Sequence, residues 1–205
     1  NYRTSSVTVI LVGDISAKSA RALVEKAFSN WTPGAAERQR LIATPRTNRK
    51  CVHIVDKRDA PQSELRVGHI GLPRKVPDFF PTLVMNAVLG GLFGSRINLN
   101  LREAHGYTYG ANSYYDWRRG PGPFVVSTAV QSDVTSPALR EIMLEIDRIR
   151  ATKISDEELS LARDYLDGVF PIRYETTAAI ASALATLAIY ELPADYYDTY
   201  RANIR

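Results

Sequence analysis

Residues 89–113 read LGGLFGSRINLNLREAHGYTYGANS. Two helix boundaries and the start of a strand are written into this stretch. Gly90 and Gly91 stop a helix that arrives from upstream, because glycine in a helix interior costs about 1 kcal/mol relative to alanine. Ser95 stands near the start of a second helix, expected over residues 94–106. Gly106 is its expected left-handed C-cap, where a Cβ would be penalised. Tyr107 then opens a strand expected to run to about Asp116. A helix pair feeding a strand through a glycine corner belongs to an α+β layout.

The flanks extend this pattern. Upstream, PDFFPTLVMNAVLGG (77–91) is a helix with proline near its start, and Phe80, Leu83, Val84, Ala87 and Val88 are expected to face inward. Downstream, RRGPG (118–122) turns the chain, and Phe124 to Val130 returns as a hairpin partner. Ser136-Pro137 opens a helix whose stripe is Leu139, Ile142, Met143, Ile146 and Ile149. SDEE (155–158) is a capping box, Ser155 to Glu158, and TTAAIASALATLAIYEL (176–192) is a helix of small residues. CVHIVD (51–56) and SELRVGHIG (63–71) read as strands; in the second, Leu65, Val67 and His69 alternate with Glu64, Arg66 and Gly68. VTVILVG (7–13) reads as a strand buried on both faces. A helix capped by Ser16 follows, with Ala20, Leu23, Val24, Ala27 and Phe28 as its apolar stripe. The expected fold is a two-layer α+β sandwich, with helices on one face of a mostly antiparallel sheet.

Composition narrows the function. Of 205 residues 45% are hydrophobic, enough for a substantial core, and no apolar run is long enough to cross a bilayer as a helix. Net charge is +4, from 26 basic and 22 acidic side chains spread along the chain. The short basic clusters DWRR (116–119) and RTNRK (46–50) have no long basic stripe or stacking motif beside them, so they read as solvated loops rather than a nucleic-acid surface. A single cysteine, Cys51, excludes an internal disulfide and a multi-cysteine metal site.

No self-sufficient active site is legible. His53, His69 and His105 form no ligand pair at helical spacing. The glycines of LGGLFGS lie between two helices, not after a strand, so they make no dinucleotide fingerprint. What remains is Arg102 and Tyr109, seven positions apart across the Gly106 corner. An arginine fork and a phenol hydroxyl can both donate to the carbonyls of an extended peptide. The plainer reading is that Arg102 pairs with a neighbouring acid such as Glu103.

Residues 89–113 resemble the second-half signature of the pitrilysin/insulinase-type zinc metallopeptidases, which include the mitochondrial processing peptidases, and above all their short bacterial members. VILVGDISAKSARALVEKAFSNW (9–31) and SDEELSLARDYLDGVFPIRYET (155–176) are similar to the same family. The resemblance implies two similar halves closing like a clamshell on a peptide. One half holds zinc through an inverted H-x-x-E-H motif. The other lacks the motif and keeps an arginine and a tyrosine at the spacing of Arg102 and Tyr109. This chain then corresponds to the non-catalytic half: no catalytic or metal-binding residue of its own, substrate binding by Arg102 and Tyr109, and zinc in a partner half in the same polypeptide or another subunit. A bacterial periplasm or cytoplasm is the expected setting.

The resemblance also implies boundaries. Residues 1–31 are expected to be the strand–helix unit that closes the preceding catalytic half, 32–49 an interdomain linker, and 50–205 a non-catalytic domain without its own closing unit. Residues 7–31 are expected to fill that closing place on the sheet, in the same molecule or by exchange with a neighbour. The rival reading within the same superfamily is a purely structural or assembly module with no part in proteolysis. The chain purified alone is expected to hold no stoichiometric zinc. Elemental analysis finding about one tightly held zinc per chain, as in a structural site, would contradict this assignment.

Overall fold

A computed structural model describes residues 4–31, 34 and 49–205. They form two compact units, one containing residues 4–31 and Gly168–Thr199, the other residues 49–167 with Tyr200–Arg205. Most of the expected linker, and most of the RTNRK cluster, lies outside the described residues.

The larger unit is built on a three-stranded antiparallel sheet. β1 (Gln62–Ile70), β2 (Ala111–Tyr115) and β3 (Pro123–Gln131) stand in the order β1-β3-β2. Val126 faces Val67 on one side and Ser113 on the other. Phe124, Val126, Thr128 and Val130 alternate inward along β3, and the residues between them are half-buried. The helical layer covers that inward face. It comprises α2 (Phe79–Asn86), which continues into a π-helical turn (Ala87–Gly91), α3 (Arg96–Asn98), which widens into a π-helical segment (Leu99–Ala104), and α4 (Thr135–Ala151). Leu89, Ile97 and Leu101 from the π-helical hairpin meet Ala111, Phe124, Val126 and Val130 from the sheet, and Ala138 and Ile142 from α4. This is the expected α+β sandwich with helices on one face.

The contact between hairpin and edge strand is close. A Cβ on Gly90 would stand 2.6 Å from the Ser113 backbone nitrogen, so only glycine lets the π-helical turn lie flat on β2. Asn86 then donates from Nδ2 to the Ser113 carbonyl (3.0 Å) and accepts from the Ser113 hydroxyl (2.8 Å).

A second fastening is ionic. Arg96, 9% exposed, grips Glu158 of α5 (Asp156–Arg173) with two hydrogen bonds of 2.5 and 2.7 Å. Glu158 is also the far member of the expected capping box. It accepts from the Ser155 N–H (2.9 Å), while its own N–H donates to the Ser155 hydroxyl (3.2 Å). The Arg96 hydrogen bonds hold the Glu158 carboxyl down to about 2.

In the smaller unit, Ser16 caps α1 (Ala17–Ala27) and Thr176 caps α6 (Thr177–Tyr190), each hydroxyl accepting an N–H three residues on. Tyr197, in the first turn of α7 (Tyr196–Ile204), donates its hydroxyl to the Ala183 carbonyl (3.2 Å) and packs edge-on against Tyr174.

Several expectations change. Residues 7–13 and 51–56 enter no ladder among the described residues. Val9 and Leu11 are about half exposed, and Val52, Ile54 and Val55 largely so. Both runs carry the composition of a strand, but a strand exists only through a neighbour's hydrogen bonds, and no described strand supplies them. The stripe of α1 is present in sequence, yet none of its residues is buried. In α2, Phe79 is buried deeper than Phe80. In α4 an acid, Glu145, joins the buried face because Asn100 donates to it (3.0 Å) and to Glu141 (3.1 Å). Finally, β2 begins at Ala111, so Tyr109 precedes the strand instead of lying within it.

The Arg96–Glu158 pair predicts an acid dependence. The folded pKa of Glu158 lies below its ordinary value of 4.5. Its stabilisation is therefore complete above that value and fades as pH falls through about 2. Glu158→Gln should cost about 1.5–3 kcal/mol near neutral pH. Urea unfolding should show variant and wild type converging as the pH drops from about 5 to 2. A constant gap over that range would mean that the charge on Glu158 is not the source of the stabilisation.

Candidate functional site

Arg102 sits in the π-helical segment Leu99–Ala104. Such widened turns recur at functional sites because they re-aim side chains relative to an α-helix. Leu101 beside it is fully buried, and the Arg102 side chain is 33% exposed. The guanidinium carbon lies 4.2 Å from the centroid of the Phe93 ring. Nε is 3.6 Å from the Glu103 carboxylate, beyond hydrogen-bond length. Nη1 is buried and has no hydrogen-bond partner among the described residues. The expected pairing with Glu103 is thus loose, and the fork keeps donor capacity.

The corner follows from Gly106, whose φ of +64° places it in the left-handed region. Its N–H donates to the Arg102 carbonyl (3.1 Å), and the Tyr107 N–H to that of Leu101 (2.8 Å). Beyond it, a hydroxyl cluster pinches the chain. Thr108 Oγ1 lies within hydrogen-bond reach of the Ala129 carbonyl (2.7 Å), the Gly110 carbonyl (2.9 Å) and the Thr128 hydroxyl (3.0 Å), and accepts from the Gly110 N–H (3.1 Å). Tyr109 forms the apex and is 93% exposed. This local competition by a threonine hydroxyl is why the ladder starts at Ala111, four residues later than expected.

One buried amide ties these parts together. Asn98, 3% exposed, donates from Nδ2 to the Phe93 carbonyl (2.5 Å) and accepts at Oδ1 from the Ala111 N–H (3.0 Å). The loop carrying Phe93 and the first residue of β2 are thereby pinned to the same helix. An open hollow of about 380 Å³ lies along this junction, lined by Phe93 and Tyr109 together with Asn98, Asn112 and three glycines. Phe93 is the residue common to both expected site residues: Arg102 covers its ring, and Tyr109 lines the same hollow. Sequence reasoning missed Phe93 and Asn98. The available signal was an aromatic residue isolated among glycines in LGGLFG, outside any core periodicity.

The histidines have other surroundings. His53 lies 3.3 Å from the Cys51 sulfur, and His69 donates to the Ile70 carbonyl (2.8 Å). His105 stacks on Tyr107 and lies 3.8 Å from Glu141. Among the described residues no three His, Cys, Asp or Glu side chains gather in a way that could hold a metal ion. The donor set of the described residues does not fit a zinc centre.

Comparisons agree with this picture. A model of the family described as peptidase M16 inactive domain matches residues 1–166. An "uncharacterized zinc protease" of Streptomyces coelicolor is 24% identical over 193 residues, covering 90% of this chain and 41% of that protein. Two solved structures share the fold. A peptidase M16 inactive domain from Pseudomonas fluorescens has a TM-score of 0.77 at 22% identity, over 94% of this chain and 45% of that one. A protease from Helicobacter pylori has a TM-score of 0.83 at 16% identity, over 94% and 47%. The chain therefore spans less than half the length of these relatives.

The geometry sets different costs for two neighbouring changes. Asn98→Ala leaves the buried Ala111 N–H and the Phe93 carbonyl without a partner, at about 1–3 kcal/mol for each group left unpaired. Tyr109→Phe deletes an exposed hydroxyl and should stay within about 0.5 kcal/mol of wild type. Urea unfolding of both variants checks this. An Asn98→Ala protein as stable as wild type would remove the clip from the account.

Proposed function

This chain belongs to the family of M16 peptidase inactive domains, of the pitrilysin type, and on that footing we propose that it holds the peptide substrate for a zinc-bearing catalytic half. The observation that carries the reading is a pair of donors that share one exposed aromatic: Arg102, whose guanidinium lies over the Phe93 ring and meets Glu103 only at 3.6 Å, and a fully displayed Tyr109 phenol, which lines the same hollow as Phe93. An extended peptide presents a regular row of carbonyl acceptors. Two donors fixed on a helix end and a tight turn suit it, and an arginine also suits charge developing on a carbonyl oxygen as it is attacked.

In this reading the chain supplies one wall of a closed chamber. Its residues bind and orient the peptide, and closure keeps bulk water away. Zinc, when bound in the partner half, supplies Lewis-acid activation of the scissile carbonyl and of water. The boundaries belong to the same proposal: residues 1–31 complete the catalytic half, 32–49 link the halves, and 50–205 form the substrate-holding half.

Steady-state proteolysis by the full-length enzyme tests the assignment. Tyr109→Phe should lower kcat/KM several-fold, and Arg102→Ala about ten- to a hundredfold, the size of a lost hydrogen bond to a neutral or to a charged group. The double variant should lose less than the sum of the two, because both donors hold one peptide segment. Full activity in the double variant would favour a purely structural module. Lost activity together with a large drop in unfolding temperature would make the pair structural.

A further inference from the structure

We propose that Phe93 is a positioning residue, a platform that fixes the Arg102 guanidinium for peptide binding; this rests on the substrate-holding reading above. Phe93 is 73% exposed and contributes no side chain to the buried core. Its backbone is nevertheless held, because Asn98 donates to its carbonyl at 2.5 Å. A large aromatic side chain, pinned at its root and displayed to solvent, is placed for contact and not for packing. The group it contacts is Arg102, whose guanidinium carbon stands 4.2 Å from the ring centroid.

Stacking suits the task because of what it leaves free. A guanidinium lying over a ring uses its flat face, and its N–H bonds point outward in the plane. The contact therefore takes up none of the N–H donors, and the side chain as a whole stays 33% exposed. An ion pair would occupy those same donors, and Glu103, with its carboxylate 3.6 Å from Nε, is the competitor at hand. By favouring the stacked rotamer, Phe93 holds the fork away from full engagement with Glu103. It also restrains a long, flexible side chain before a ligand arrives, so less freedom is lost on binding.

The test is a double-mutant cycle in the full-length enzyme, read as kcat/KM on an unstructured peptide beside thermal unfolding. Phe93→Leu removes the aromatic face and should lower kcat/KM roughly three- to tenfold, mostly through KM, with the unfolding temperature unchanged. Phe93→Tyr keeps the face and should stay within about twofold of wild type. In an Arg102→Ala background, Phe93→Leu should cost nothing further, because the platform then has nothing to hold. An equal loss in both backgrounds would mean that Phe93 touches the peptide directly and would overturn the inference. So would a fully active Phe93→Leu enzyme beside an impaired Arg102→Ala one, with the substrate-holding role left standing. A fully active Arg102→Ala enzyme would remove both.

Discussion

Side-chain amides fasten the helical hairpin to the edge strand, and the rest of the arrangement depends on that fastening. β2 is an edge strand with β3 as its neighbour in the sheet. Its first N–H, at Ala111, is taken by Asn98, and its middle residue, Ser113, is held on both carbonyl and hydroxyl by Asn86. Gly90 lets the π-helical turn come close enough for those bonds to form. An amide suits the place because it donates and accepts at once, so helix and strand can both be satisfied by a single buried group.

The same fastening sets the geometry of the proposed site. Because Asn98 holds the Phe93 carbonyl as well as Ala111, the exposed aromatic and the root of the Tyr109 turn are positioned from one point. A local distortion here reaches every part of the donor pair. The π-helical segment from Leu99 to Ala104 plays the complementary part. It keeps Leu101 in the core while presenting Arg102 at the surface.

Two arginines on this short hairpin have opposite fates. Arg96 is buried and closed into a bidentate pair with Glu158, whose carboxylate also completes a capping box on α5. That is a structural arginine, held through Nε and Nη2 by one carboxylate, while its Nη1, like that of Arg102, has no partner among the described residues. Arg102 meets a ring face and a loosely placed carboxylate, and one of its nitrogens has no partner among the described residues. In sequence the two are alike, each a cation in a short helix beside apolar residues. Their difference comes from what other elements bring to them across the fold.

What the sequence determined by itself is local. The Ser155–Glu158 capping box, the Ser16 cap, the left-handed Gly106, the turn before β3 and the alternation along β1 from Glu64 to Val67 each depend on a few neighbouring residues, and each is present as read. With the α+β layout they also pointed to Arg102 and Tyr109 as residues at one corner. What the tertiary structure decided is everything that needs a distant partner. The apolar runs at 7–13 and 51–56 have strand composition but enter no ladder among the described residues. Glu145 enters a buried face because Asn100 is there to meet it. Tyr109 leaves the ladder because Thr108 finds the Ala129 carbonyl across the sheet. Phe93 and Asn98 became legible only when the loop, the helix and the strand were seen in contact. A cap is a bond between residues three apart, whereas a strand pair, a buried acid or a stacked arginine is a bond whose second half lies elsewhere in the chain.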